Sequence, residues 1–175
     1  MKKSVTIFCL LVFALSIATF SGNANAQLIS KENIEKSVKN LSDYTIAVAE
    51  TMPAEQYGSK PNEEIWTFAG QLNHIIEINH RFFLQVLKAP KQAKSFKAED
   101  KATVTANLKE NLKSVQDALK NLSMADLQEE IPLWGQQMTR FHALLLFMDH
   151  MTHHRGSCVI YLRYKGIKPP NFVGW

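Results

Sequence analysis

Cysteine is nearly missing from this sequence, with Cys9 and Cys158 the only two. Cys9 lies inside an apolar N-terminal run, so the rest of the chain carries a lone thiol and no intramolecular disulfide can staple it. A packed core has to supply the stability. No cysteine follows the apolar run where a lipid-attachment signal needs one, so a lipoprotein anchor is not expected. An excess of charge of one sign is also missing: 20 Lys and Arg against 16 Asp and Glu give a formal charge of +4. No basic stripe interleaved with aromatics accompanies it, so nucleic acid is not an expected partner. Long apolar runs are limited to one, Val5 to Phe20, shorter than the about 20 residues a membrane-spanning helix needs. Internal repeats are not evident, and almost nothing alternates in the way a strand does.

The apolar run has a reading of its own. Lys2 and Lys3 precede it, and Ala24-Asn25-Ala26 offers a small-x-small cleavage site before Gln27, the pattern of a secretory signal. We therefore expect residues 1–26 to be removed, leaving an exported, periplasmic protein of residues 27–175 with no stable membrane span. Loss of Lys2 and Lys3 takes the formal charge from +4 to +2. The remaining length suits one domain around one core.

What is abundant is helical periodicity. From Ser30 to Glu50, Ile34, Val38, Leu41, Thr45 and Val48 recur at helical spacing, with Ser30 placed to cap. Pro53, Gly58 and Pro61 mark a loop. A second helix is expected from Asn62 to Leu87, with Glu63 and Glu64 suited to its positive end, and Ala89-Pro90 closing it. Val104, Leu108, Leu112, Val115 and Leu119 give a third amphipathic helix from Ala102 to Leu122. Residues 121–137 are less regular, broken by Pro132 and Gly135, and read as a crossover with a short helical turn at Ala125 to Gln128. The fourth helix runs from Thr139, a candidate cap, to Tyr164, ended by Gly166 and Pro169-Pro170. The expected architecture is all-α: a four-helix bundle with one long crossover between helices three and four.

Three of the six histidines fall in "DHMTHHRGSC", residues Asp149 to Cys158. His150 and His154, at i and i+4, project from one face of a helix and can share one metal ion. That face continues through Ala143, Phe147, Cys158 and Tyr161, so the imidazoles interrupt an inward stripe. On the second helix His74 lies on a stripe with Thr67, Gly70, Gln71, Ile78 and Phe82. Facing helices that each contribute inward ligands are how bundles build metal sites, and three imidazoles leave positions open for water or substrate. A core histidine satisfied by a hydrogen bond is the plainer reading of each residue taken alone. His153 can pair with His150 in place of His154 but turns the site toward another edge. His80, six residues beyond His74, is expected on the solvent side, and His142 in a surface or packing role. Glu77, one turn after His74, is the carboxylate best placed to act as a fourth ligand or a general base.

These residues carry a resemblance. "LNHIIEINHRFF" on helix two with "MDHMTHHRGSCVIYLRYKGIKPP" on helix four resembles the DinB/YfiT-like superfamily of metalloenzymes, a group unrelated to the translesion polymerase of the same name. Its pattern is one His in the second helix, then H-x-x-x-H-R-G-Q closing the bundle, a leucine-rich stretch, an Arg, a Gly and a Pro-Pro. His74, His150 and His154 match the ligand positions, and Arg155, Gly156, Leu162, Arg163, Gly166, Pro169 and Pro170 match the flanks. Ser157 stands where the family often has Gln, and an exported member is less usual.

The resemblance implies a divalent metal ion (nickel, zinc, iron or manganese) and a small-molecule substrate. The reaction it implies is a metal-dependent hydrolysis, an isomerisation or a transfer from a low-molecular-weight thiol such as bacillithiol or mycothiol. Those thiols belong to the cytoplasm, so export weakens the last. Trp134, Phe147 and Tyr161 are expected pocket walls, and a homodimer is the expected assembly. The competing reading is a non-catalytic exported metal-binding or helical interaction module.

Overall fold

The computed structural model describes residues 29–90 and 96–174. The expected signal segment, residues 1–26, lies outside the described residues. Helix α1 spans Lys31–Thr51 and buries Ile34, Val38, Leu41, Tyr44 and Val48 on one side. Its buried hydroxyls cost nothing unpaired, because Ser42 donates to the Val38 carbonyl and Thr45 to that of Leu41, both at 2.7 Å.

Helix α2 begins later than the acidic pair at Glu63 and Glu64 suggests. It spans Phe68–Ile78, capped by Thr67, whose hydroxyl accepts from the Gly70 N–H at 3.0 Å. Upstream, the Asn62 side chain takes the Glu64 N–H at 3.0 Å, a local bond that competes with helix formation. The preceding loop also satisfies the helix start: Phe68 N–H donates to the Ser59 carbonyl and Ala69 N–H to that of Tyr57. After Ile78 the chain widens into a π turn, Asn79–Phe83, and closes with a short helix α3, Leu84–Val86. Asn79 is buried at the wide turn and donates to Asn111 Oδ1 at 2.7 Å.

Helix α4, Lys101–Lys120, is capped by Asp100, and α5, Met124–Gln128, by a reciprocal Ser123–Asp126 box. The crossover holds one element absent from the expectation, an antiparallel hairpin of β1 (Glu130–Leu133) and β2 (Gln136–Thr139). Its two turn residues, Trp134 and Gly135, have φ of 50° and 78°, the left-handed pair that a two-residue hairpin loop requires. Helix α6, Arg140–Tyr164, follows at once, with Thr139 accepting from the His142 N–H at 3.1 Å. Arg140 is buried and clamps the crossover, donating to the carbonyls of Val86 and Asp126 and to Glu129 Oε2.

The four long segments form a four-helix bundle in which α1 and α2 each pack against both α4 and α6. Consecutive helices α1 and α2 are thus diagonal partners. Direction follows from the ends that meet. Lys101 Nζ reaches the Glu50 and Met52 carbonyls while Lys31 Nζ reaches that of Lys120, so α1 and α4 are antiparallel. Tyr161 meets Gln71 and Arg140 meets Val86, so α2 and α6 are antiparallel too. The core falls into two clusters along the bundle. One holds Val48, Met52, Tyr57, Phe68, Leu72 and Tyr161, and the other Ile34, Phe83, Val115, Leu119 and Phe147. No helix among the described residues is long and apolar enough to cross a membrane.

Candidate metal centre

The seam between α2 and α6 brings three histidines together. His150 and His154 lie one turn apart on α6, and antiparallel packing sets His74 of α2 opposite them. One nitrogen from each of the three rings lies within 4.8 Å of the others. Ring centroids are 4.7 Å apart for His74 and His154, 5.1 Å for His74 and His150, and 4.5 Å for His150 and His154. His153, the alternative partner, is exposed and sets its edge against His154 at 4.9 Å.

Burial governs the charge of the cluster. It pushes the His150 and His154 imidazoles down to about 4, helped in each case by the neighbouring histidines, which resist a second positive charge. His74 is lowered by burial as well, against the opposing pull of Glu77. The three rings are therefore neutral near pH 7 and present lone pairs, the form in which imidazole binds a metal. The Nδ1 of His150 is buried with no hydrogen-bond partner, a state that costs about 1–3 kcal/mol unless something else satisfies it.

Around the rings lies a polar support whose bonds the helical stripes did not show. His154 Nδ1 is 2.6 Å from Gln71 Oε1, Gln71 Nε2 donates to the Tyr161 hydroxyl at 3.3 Å, and that hydroxyl donates to the Trp66 carbonyl at 2.7 Å. Trp66 itself is half-exposed and stacks on His154, centroids 5.8 Å apart and planes 10° from parallel, while its tilted face lies 4.7 Å from His74. Gly70 lets the indole come this close: a Cβ there would meet Trp66 Cβ at 3.3 Å and Thr67 Oγ1 at 3.2 Å. Beside His74 a cleft of about 380 Å³ is lined by Trp66, Gly70, Asn73, Glu77 and Phe96. The sequence signal for Gln71 was its place three residues before His74 on the same stripe. Trp66 was passed over: it lies inside the helix expected from Asn62, but in the structure it precedes α2 and reaches the rings from the loop.

The remaining expected site residues are distributed differently. Glu77 lines the cleft, but its carboxylate is half-exposed and ion-paired with Arg81 Nε at 3.4 Å, and it is not one of the three groups that converge. Tyr161 is buried beneath His154, its hydroxyl engaged by Gln71 and Trp66. Phe147 packs in the core against Phe83, centroids 4.4 Å apart, and Trp134 sits exposed at the hairpin tip against Phe82. Neither lines the cleft at His74. His142 is exposed, as expected. His80 is not: it is buried and stacks on Phe96 with centroids 4.6 Å apart. A helix inside a bundle buries more than one face, and the segment leading into α4 lays Phe96 over the side that angular reckoning assigns to solvent.

A helical bundle with a histidine cluster on the seam of two antiparallel helices defines the class, and comparison with known proteins gives the family. The DinB family profile matches residues 28–174, and the chain belongs to that family. It is 30% identical over 129 residues to the uncharacterized protein YjoA of Bacillus subtilis, covering 70% of this chain and 82% of that one. Among solved structures, a DinB-like protein from Bacillus cereus superposes with a TM-score of 0.72 at 19% identity, covering 81% of this chain and 97% of the other. YfiT from Bacillus subtilis superposes with a TM-score of 0.60 at 22% identity, covering 80% and 91%. YfiT is described as a probable metal-dependent hydrolase with an unusual four-helix bundle topology.

Proposed function

We propose that the protein is a divalent-metal-dependent enzyme, a hydrolase or thiol-type transferase acting on a small molecule, with His74, His150 and His154 as the metal ligands. The observation that carries this is the convergence of three neutral imidazoles on the α2–α6 seam. The donor set fits a divalent ion. Imidazole suits zinc, iron and nickel, with manganese accepting it less readily, and the buried, unpartnered Nδ1 of His150 is what an apo ligand presents. The description of YfiT as a probable metal-dependent hydrolase supports the same reading.

A divalent ion held by three protein ligands supplies Lewis acidity at an open position, lowering the pKa of a bound water or thiol toward neutrality. The chain's own residues do the rest. Trp66 walls the site with an apolar face and limits water around His154 and His74. Glu77, in the cleft beside His74, is the carboxylate we assign as general base. Export after removal of residues 1–26, and a homodimer, belong to the same proposal. N-terminal sequencing of protein from the periplasmic fraction and light scattering on it test those two points.

One feature favours the second reading, a metal-binding module without turnover: no carboxylate among the described residues joins the three-histidine group, and Glu77 is tied to Arg81. A single experiment separates the two. The purified protein and a His150→Ala/His154→Ala variant are analysed for metal, then screened against electrophilic small molecules with and without added thiols. Metal in the wild type alone, with turnover, supports the enzyme. Metal without turnover supports the module, and equal metal in both proteins refutes the ligand assignment.

A further inference from the structure

From the chain of hydrogen bonds beneath the histidines we infer that Gln71, held by Tyr161, is a positioning residue that fixes His154 as the tautomer protonated on Nδ1 and leaves its Nε2 lone pair free for the metal. The inference rests on the metal-site reading above and adds a residue pair to it. The Trp66 carbonyl can only accept, so the Tyr161 hydroxyl, 2.7 Å away, must donate to it. That hydroxyl has one proton, now committed, so toward Gln71 at 3.3 Å it can only accept. Gln71 therefore turns its NH₂ to Tyr161 and its carbonyl oxygen to His154, and the 2.6 Å contact is a hydrogen bond only if Nδ1 carries the proton.

Burial makes this order binding. Gln71, Tyr161 and His154 are 5%, 3% and 8% exposed, so water has little access to repair a mismatch. Flipping the Gln71 amide would set its NH₂ against His154 and its oxygen against a hydroxyl whose proton is already used, leaving an acceptor facing an acceptor in the interior. One backbone carbonyl, in the loop before α2, thereby dictates a proton position on α6. A ligating histidine whose second nitrogen donates to an oxygen is oriented and made more basic by that partner, and loss of such a partner lowers metal affinity by roughly 10–100-fold. Here the partner is a neutral amide, so it fixes orientation without adding charge to the site.

The test reads the tautomer and the metal separately. Long-range proton–nitrogen NMR spectra of the ¹⁵N-labelled, metal-free protein at neutral pH report which His154 nitrogen is protonated, and titration with Zn²⁺ alone reports affinity. We expect the Nδ1–H form in the wild type. In Gln71→Leu we expect that preference to be lost and zinc affinity to fall about 10–100-fold. Gln71→Glu, which keeps an acceptor toward Nδ1 though it loses the donor to Tyr161, should retain the Nδ1 proton, and Tyr161→Phe, which frees the amide to flip, should weaken that preference. An Nε2–H form of His154 in the wild type overturns the inference, and so do an unchanged tautomer and zinc affinity in Gln71→Leu. Should Gln71→Leu not fold, the wild-type tautomer and the Gln71→Glu and Tyr161→Phe spectra decide alone. A wild type that shows Nδ1–H yet binds no zinc supports the hydrogen-bond chain and overturns the metal reading.

Discussion

His74 of α2 and His154 of α6 lie with ring centroids 4.7 Å apart, under the indole of Trp66. The two helices meet only in the folded bundle, so any metal held by this pair links the seam. Replacing any one of His74, His150 or His154 by Ala should reduce zinc affinity by more than roughly 100-fold, beyond the effect of losing a supporting partner. Isothermal titration of each variant, with circular dichroism to confirm the helix content, checks this. His153→Ala should bind as the wild type does.

The pH dependence of the metal-free protein has a defined sign. Imidazoles in the unfolded chain take protons near pH 6.5, whereas His150 and His154 in the folded chain take them only near 4, because burial opposes the charge. Between those values the unfolded state binds more protons, so stability falls as pH drops from about 6.5 toward 4 and is flat with respect to these groups above that window. Thermal melts from pH 8 to pH 4 should show the fall, and a His150→Leu/His154→Leu variant should show less of it. Bound zinc should steepen it, since protons then also compete with the metal.

Glu77 separates turnover from binding. Glu77→Gln removes the carboxylate from the cleft beside His74 while leaving the three histidines in place. If Glu77 is the base, turnover should drop by about 10²–10⁴-fold with metal content unchanged. A simultaneous loss of metal would instead make Glu77 a ligand.

Phe147 tests what an inward aromatic near the cluster is for. It is 1% exposed and packs edge-on against Phe83, so Phe147→Ala should destabilise the fold by about 3–5 kcal/mol. Denaturant unfolding measures the loss, and zinc affinity below the transition should be unchanged. A selective change in substrate KM with stability intact would make it a pocket wall.

Much of this arrangement was legible along the chain. The spacing of Ile34, Val38, Leu41 and Val48, and of Val104 through Leu119, announces helices because one face must be buried, and these residues are in the core. His150 and His154 share a face because helical geometry puts i and i+4 together. Periodicity also ties Thr139 to the start of the last helix, where it caps α6. It was less informative where local chemistry competes with it. The acidic pair before α2 looks like a helix start, yet Asn62 bonds its own backbone neighbour and Thr67 takes the cap. The Trp134-Gly135 turn is a hairpin signal that a helical pattern on both sides obscures.

The sequence by itself determined which histidines share a face, since that follows from the angle between residues on one helix. Tertiary structure decided which faces meet and what stands behind them. The diagonal placement of α1 and α2 and the antiparallel seam of α2 with α6 bring His74 to His150 and His154. The same seam buries Gln71 and Tyr161 behind His154, brings the loop carbonyl of Trp66 onto the Tyr161 hydroxyl, and covers His80 with Phe96. Such pairings join residues distant along the chain through directional bonds and shape. No repeat along one helix encodes them, because the partner of each buried polar atom is chosen by packing.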